Sequence, residues 1–268
     1  MQKLTVIVPT FNEEANLDAC LDSVRWADEI LVVDSFSTDR TLEIAQSYGA
    51  RIIQRTYGYS ASQKNWAIPQ AKHSWILLVD SDERVPPTLA EAIQELLCGE
   101  PQANAYWIYR ANHVLGRRVR RCGWGTDKVI RLFRRDHGRY EDTQVHAEIQ
   151  IEPPVGSLRG RLVHHSFRSF SQYAPKLWKY ARWGAEDEWL SGKRASALDL
   201  LLRPAARFVK MYVLRGGFLE GTRGLVVSYL GLSAVFLKYA RLWEKGWEAS
   251  NAPEASHAPG ASTQTARG

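Results

Sequence analysis

Cysteine is scarce in this sequence: Cys20, Cys98 and Cys122 stand far apart, with no C-x-x-C pair and an odd thiol left over. A disulfide framework and a zinc ribbon are both excluded, and a reducing compartment such as the cytosol is expected. Long apolar runs are missing as well. The longest uncharged one covers residues 224–237, short of the ~20 residues that a spanning helix needs, so no conventional transmembrane segment is expected. The apolar opening at residues 4–8 is cut by Pro9 and is too short for the core of an export signal, so export is not expected either. No G-x-G-x-x-G follows that first run, where Pro9-Thr10-Phe11-Asn12 stands instead. That excludes a dinucleotide-binding oxidoreductase of the usual kind.

What is present is globular material, 45% hydrophobic and 24% charged over 268 residues, enough for one large α/β domain or one domain with an appendage. The net charge of +6 is unevenly spread. Residues 1–100 hold 8 Lys+Arg against 15 Asp+Glu, residues 101–164 hold 12 against 6, and residues 165–268 hold 15 against 8. An acidic front with a basic remainder points to a metal or nucleotide site first and an anionic partner behind it. A nucleic-acid-binding module would use the arginines of residues 117–121, but it leaves the acidic front without a purpose, so nucleic acid is not an expected partner.

Short β-rich runs at residues 4–8, 30–33, 51–53 and 75–79 alternate with helical patterns at 13–24, 38–48 and 87–97, which predicts βαβ units and a largely parallel sheet. The second helix is expected to start on the capping sequence Ser37-Thr38-Asp39. Strands follow at 105–110 and 128–133, around a basic loop at 116–121. Helices are expected at 172–190, 197–214 and 224–247, and a disordered tail at 249–268.

In open α/β sheets ligands bind at the carboxyl ends of the strands. Here these ends read Pro9-Thr10-Phe11-Asn12-Glu13, then Asp34, then Asp80-Ser81-Asp82-Glu83. Carboxylates crowded on one rim repel each other unless a cation shares the site. A divalent metal answers that need, with Asp80 and Asp82 on the same side of an extended segment.

These residues, with Val32-Val33-Asp34-Ser35-Phe36-Ser37-Thr38-Asp39 and Gln63-Lys64-Asn65, strongly resemble the inverting family-2 glycosyltransferases of the GT-A fold. The likeness runs on through residues 124–133, Leu162-Val163-His164-His165-Ser166 and the Arg-Gly-Gly-Phe element at 215–218. It resembles most the bacterial subgroup that includes lipopolysaccharide-core β-1,4-glucosyltransferases. It implies an α/β sheet, mostly parallel and flanked by helices, with a basic, apolar helical extension. The expected division is a catalytic domain at 1–165 (nucleotide-sugar half 1–100, acceptor half 101–165), a membrane-associating helical region at 166–248 and the tail.

The resemblance further implies that Pro9, Thr10 and Glu13 hold base and ribose, that Asp34 reads the base edge, and that Lys64 lies near base or phosphate. Asp80, beside Ser81, would bind ribose or metal-bound water, while Asp82 and His164 hold Mn²⁺ or Mg²⁺. Inversion needs one carboxylate to take the acceptor's proton. Asp142 fits by position, with Glu141 close behind it. In the pattern Val145-His146-Ala147-Glu148, Ala147 separates two residues that adjoin in the subgroup, which leaves His146 and Glu148 without clear roles. Asp127 is a further candidate for acceptor contact. Phe36 stands in the Asp-Ser-Phe-Ser-Thr-Asp motif where many relatives have glycine.

The reading is therefore transfer of glucose from UDP-glucose to a lipid-linked lipopolysaccharide-core glycan, with transfer to a polyprenyl phosphate as the alternative. Trp178, Trp183, Trp189, Trp243 and Trp247 stand beside 14 Lys+Arg in residues 165–248. That pairing predicts peripheral attachment to the anionic inner face of the cytoplasmic membrane, with residues 224–237 dipping into the interface.

Overall fold

The computed structural model describes residues 2–143 and 147–251. The chain opens with β1 (Leu4–Thr10), α1 (Glu14–Asp22), β2 (Glu29–Asp34), α2 (Thr41–Ser47) and β3 (Arg51–Gln54). Then come α3 (Ser60–Ala67), β4 (Trp75–Leu78), β5 (Glu83–Arg84) and α4 (Pro87–Cys98). A second run of strands holds β6 (Ala105–Val114), β7 (Arg117–Arg118), β8 (Lys128–Arg134), β9 (Gly138–Tyr140), β10 (Ile149–Ile151) and β11 (Val155–Phe167). Three helices follow: α5 (Phe170–Leu190), α6 (Ala197–Val209) and α7 (Thr222–Ser250).

The main sheet is ordered β3-β2-β1-β4-β8-β6-β11-β5, with β7 paired to β6. β1 to β4 are parallel to one another, β8 is antiparallel to both β4 and β6, and β11 is parallel to β6. Two antiparallel steps restore the direction, so β6 and β11 run the same way as β1, β2 and β4. Their carboxyl ends therefore meet on one rim.

The alternation of side chains along each strand divides the core in two. Leu4, Val6 and Val8 of β1 pack with Leu17 and Leu21 of α1 and Leu89 and Ile93 of α4. Ile7, between them, points to the opposite face and joins Ile76 and Leu78 of β4 with Ala67 at the end of α3. A third cluster ties Val114 and Phe167, at the ends of β6 and β11, to Cys122, Met211 and Val227 under the C-terminal helices.

Several expectations need correction. α2 begins at Thr41 and not at residue 38, because the Asp39 carboxylate accepts from Thr41 N (3.0 Å) and Glu14 N (3.1 Å), so residues 37–40 remain a loop stitched to the start of α1. α3 has no counterpart among the expected helices, since its buried positions include Gln63 and Lys64 and so carry little apolar periodicity. α7 is 29 residues long, and length and composition alone make it sufficient to cross a bilayer, whereas the uncharged run had suggested a shorter segment. The helix simply continues past Lys238 through Ser250, packed on α5 and α6. Residues 252–268 of the expected tail lie outside the described residues.

Candidate active site

The loops after β1 and β2 are zipped together. Asn12 N donates to Ser37 Oγ (2.9 Å), Thr38 N donates to Asn12 Oδ1 (2.8 Å), and Glu13 N donates to Thr41 Oγ1 (2.8 Å). Asp34 is fully buried at the end of β2 and gathers the three strand ends. Its carboxylate accepts from Ser37 N (3.0 Å), Ser37 Oγ (2.5 Å), Gln54 Nε2 (2.9 Å) and Thr10 Oγ1 (3.4 Å). Phe36, two residues on, has φ +62°, a region that favours glycine, which accounts for the glycine of the resembling motif. Pro9 sits beside Val33 in the β1–β2 register. Burial pushes the Glu13 carboxyl pKa up, although Asn16 Nδ2 donates to it (2.7 Å). Two buried acceptors here, Asn16 Oδ1 and Gln63 Oε1, have no partner among the described residues. Gln63 belongs to the Gln63-Lys64-Asn65 motif of the resemblance, whereas Asn16 carries no sequence signal.

The run 80–83 behaves differently from the sequence expectation. Residues 81 and 82 form a turn rather than an extended segment, and the two aspartates go to different partners. Lys64 Nζ lies 3.3 Å from Asp80 Oδ1, and Arg131 donates to Asp80 Oδ2 and to Glu83 Oε1 (2.9 Å). Burial alone would raise the Asp80 carboxyl pKa, but Arg131 and Lys64 hold it well below the usual carboxylate range. Glu83, with no exposed surface, also accepts from Asp80 N (3.0 Å) and faces Arg110 at 3.8 Å. Protein cations thus neutralise most of the crowded acids, and the metal inferred from their repulsion is not required by Asp80. Ser81 is buried, and its side chain acts to lower the Glu13 carboxyl pKa against the effect of burial.

Arg131 was legible only as a single charge inside the apolar run Val129-Ile130-Arg131-Leu132-Phe133. It is buried, and removing one partner of such a cluster strands the others. Arg131→Met is expected to lower stability by about 3–5 kcal/mol, measured by denaturant unfolding, and pairing it with Glu83→Met should recover most of the loss.

Asp82 is the acid that faces a histidine. His165 N donates to Asp82 O (2.9 Å), which brings Asp82 Oδ2 to 3.7 Å from His164 Nε2. Arg110 Nε and Asn112 Nδ2 both donate to Asp127 Oδ2 (2.8 and 2.7 Å). That orients the Asn112 amide, so Asn112 Oδ1 is the acceptor for His164 Nδ1–H at 2.6 Å. Neutral His164 therefore turns its Nε2 lone pair toward a carboxylate. Burial lowers the imidazole pKa, but Asp82 outweighs it and the net shift is upward. Asp127, expected near the acceptor, orients His164 through Asn112. Among the described residues no group of three or more His, Cys, Asp or Glu side chains could hold a metal. The donor set is the pair Asp82 and His164, and it fits a hard divalent ion that takes its other ligands from substrate oxygens.

The loop carrying Glu141 and Asp142 leaves β9 beside α3. Asn65 Nδ2 donates to Tyr140 O (2.9 Å), Tyr140 N donates to Asn65 Oδ1 (2.8 Å), and Tyr59 Oη donates to Asp142 Oδ1. Glu141 N donates to Glu148 O (3.0 Å), and His146 lies outside the described residues. Asp142 is exposed. α5 lies across the site: Lys179 Nζ stands over the rings of Tyr57 (4.6 Å) and Trp183 (4.5 Å), and Tyr180 feels the charges of Asp80 and Asp82. Between α3, α5 and α7 is a cavity of about 900 Å³, lined by Lys64, Trp124, Tyr140, Ala147, Tyr180 and Trp183 among others. A carboxylate–histidine pair that can hold a cation, unpartnered buried acceptors on α1 and α3, and an aromatic cavity lined in part by Lys64 suit a nucleotide-linked donor and a polyhydroxylated acceptor.

Comparisons with known proteins agree with that chemistry. The model of the family Glycosyl transferase family 2 matches residues 5–151. The chain is 30% identical to the lipopolysaccharide core biosynthesis glycosyltransferase LpsC of Rhizobium meliloti (strain 1021), over 88% of this chain and 93% of that one. It is 28% identical to an uncharacterized glycosyltransferase of Rickettsia typhi, over 94% and 90% of the two chains. Among solved structures, S. aureus TarS is 33% identical over 44% of this chain and 23% of its own, with a TM-score of 0.37. The protein is a glycosyltransferase and belongs to glycosyl transferase family 2.

Proposed function

We propose that the enzyme transfers glucose from UDP-glucose, with inversion, to a lipid-linked lipopolysaccharide-core glycan, and that it works attached to the cytosolic face of the cytoplasmic membrane. The observation that carries this reading is the end-to-end similarity to a lipopolysaccharide core glycosyltransferase, supported by a rim whose side chains suit a sugar nucleotide. Asn16 Oδ1 and Gln63 Oε1 are buried acceptors in want of donors, which ribose hydroxyls or a base N–H supply. Pro9, Thr10, Glu13, Asp34 and Ser81 shape the bed for the nucleoside.

Asp82 and His164 would hold Mn²⁺ or Mg²⁺, which when bound neutralises the diphosphate leaving group. Lys64 and Arg131 keep Asp80 ionised and fixed. Asp142, bonded to Tyr59 at the head of α3, takes the proton of the acceptor hydroxyl as that oxygen attacks the anomeric carbon from the face opposite the diphosphate. The aromatic side chains of the cavity, Tyr140, Tyr180 and Trp183 among them, offer flat faces for sugar rings.

Incubation with a panel of nucleotide sugars, Mn²⁺ and extracted lipopolysaccharide-core acceptor tests the reading. UDP-glucose should be consumed and its label should enter the core glycan. A labelled product that extracts as a short-chain prenyl lipid would replace this acceptor with a polyprenyl phosphate.

A further inference from the structure

We infer that the protein meets the membrane through the outer side of α6 and the two turns after it, an apolar wedge edged by cations whose partner is an anionic phospholipid surface. The inference rests on the reading above of a membrane-attached enzyme, and it moves the contact away from the tryptophans and residues 224–237.

α6 starts on a capping box between Ser196 and Asp199 and continues through a π-helical turn, Lys210–Leu214, and a 3₁₀ turn, Gly217–Glu220. Its inward positions are Pro204 and, about two turns further on, Met211, both buried. On the outside, Leu198, Leu201, Leu202, Val209, Val213, Leu214, Phe218 and Leu219 are all exposed, with Leu198, Leu201 and Leu214 at 66%, 69% and 76%. Steps of three, four and seven residues from Leu198, Leu201 and Leu202 to Val209 and on to Val213 keep them on one side of the helix as one stripe. Single exposed leucines are ordinary, but a continuous stripe of this kind marks a contact surface.

The charges around the stripe name the partner. Residues 193–219 contain Lys193, Arg194, Arg203, Arg207, Lys210 and Arg215 against Asp199 alone, and the Asp199 carboxylate is taken up by Ser196 and by Arg203 (2.5 Å). Glu220 Oε1 accepts the backbone N–H groups of Arg120 (2.8 Å) and Arg121 (2.9 Å). That contact sets the exposed Arg120 and Arg121 beside the turn that carries Phe218 and Leu219, with the Arg121 and Leu219 side chains both reaching Gly216. Apolar side chains ringed by cations suit acyl chains below anionic headgroups. Residues 224–237 are less available. Gly224, Val227 and Ser228 are buried, and Leu230, Ala234 and Val235 face the cavity against α5. Trp189 is likewise engaged, under Arg194 at 3.6 Å.

Flotation of the full-length protein with vesicles of phosphatidylglycerol and phosphatidylethanolamine tests this surface. Wild type should float at low salt, and the triple variant Leu201→Asp, Leu214→Asp, Phe218→Asp should bind about tenfold or more weakly. Its UDP binding by calorimetry should be unchanged, since none of the three lines the nucleotide rim. Arg120→Glu with Arg121→Glu should erase the preference for anionic over phosphatidylcholine vesicles, and Trp178→Ala with Trp247→Ala should float like wild type. If the triple variant floats as well as wild type, this surface is wrong while membrane attachment stands. If wild type binds no vesicle, the attachment itself is wrong. A bound fraction that resists alkaline carbonate would assign the contact to a spanning α7, and a wild-type dimer dispersed by the triple variant would make the wedge a protein interface; either result overturns the inference.

Discussion

Asp82→Asn should lower turnover by roughly 10³-fold or more while leaving the thermal midpoint within a few degrees of wild type. The electrostatic accounting at the rim explains why one carboxylate matters so much. Asp80 and Glu83 are matched by Lys64, Arg131 and Arg110, and Asp127 by Arg110 and Asn112. Asp82 faces His164, whose Nε2 is itself an acceptor when neutral. Two acceptors turned toward each other call for a proton or a metal between them. Asparagine keeps the shape and the backbone bond from His165 but removes the charge, so the loss should fall on ion binding and not on packing. Rates measured across a Mn²⁺ titration check this. Wild-type activity that persists in EDTA, or an Asp82→Asn enzyme of full activity, would show that the ion plays no part.

Asp142→Asn should reduce kcat by about 10²- to 10⁴-fold with donor affinity unchanged, because the amide has the same outline and cannot accept the acceptor's proton. Asp142 is exposed and tied to Tyr59, and Tyr140 and Ala147, before and after it in sequence, line the cavity. Donor binding by calorimetry and turnover with saturating acceptor separate the two effects. Should Asp142→Asn keep its rate while Glu141→Gln loses it, the base is Glu141.

The sequence alone determined the alternating βαβ start, the acidic strand ends and the family. These are local features: a period of two between periods near 3.6, and polar residues placed directly after apolar runs. The ends of β1, β2 and β4 were legible for that reason, as were Asp34 and the 80–83 run. Only tertiary structure decided what those acids do. Arg131 comes from the middle of β8, Arg110 and Asn112 from β6, and His164 from β11, and they reach Asp80, Glu83 and Asp82 because two antiparallel pairings turn β6 and β11 back to the direction of β4. Nothing in the spacing of Asp80 and Arg131 along the chain announces their contact. Charge repulsion read from the sequence correctly demanded cations, but could not tell a metal from a guanidinium 51 residues away. The same holds at the C-terminal end. Apolar content was visible along residues 197–237, but which part faces solvent depended on α7 packing against α5 and α6, which buries Gly224, Val227 and Ser228 on one side of α7 and leaves Leu198, Leu201 and Leu202 of α6 exposed.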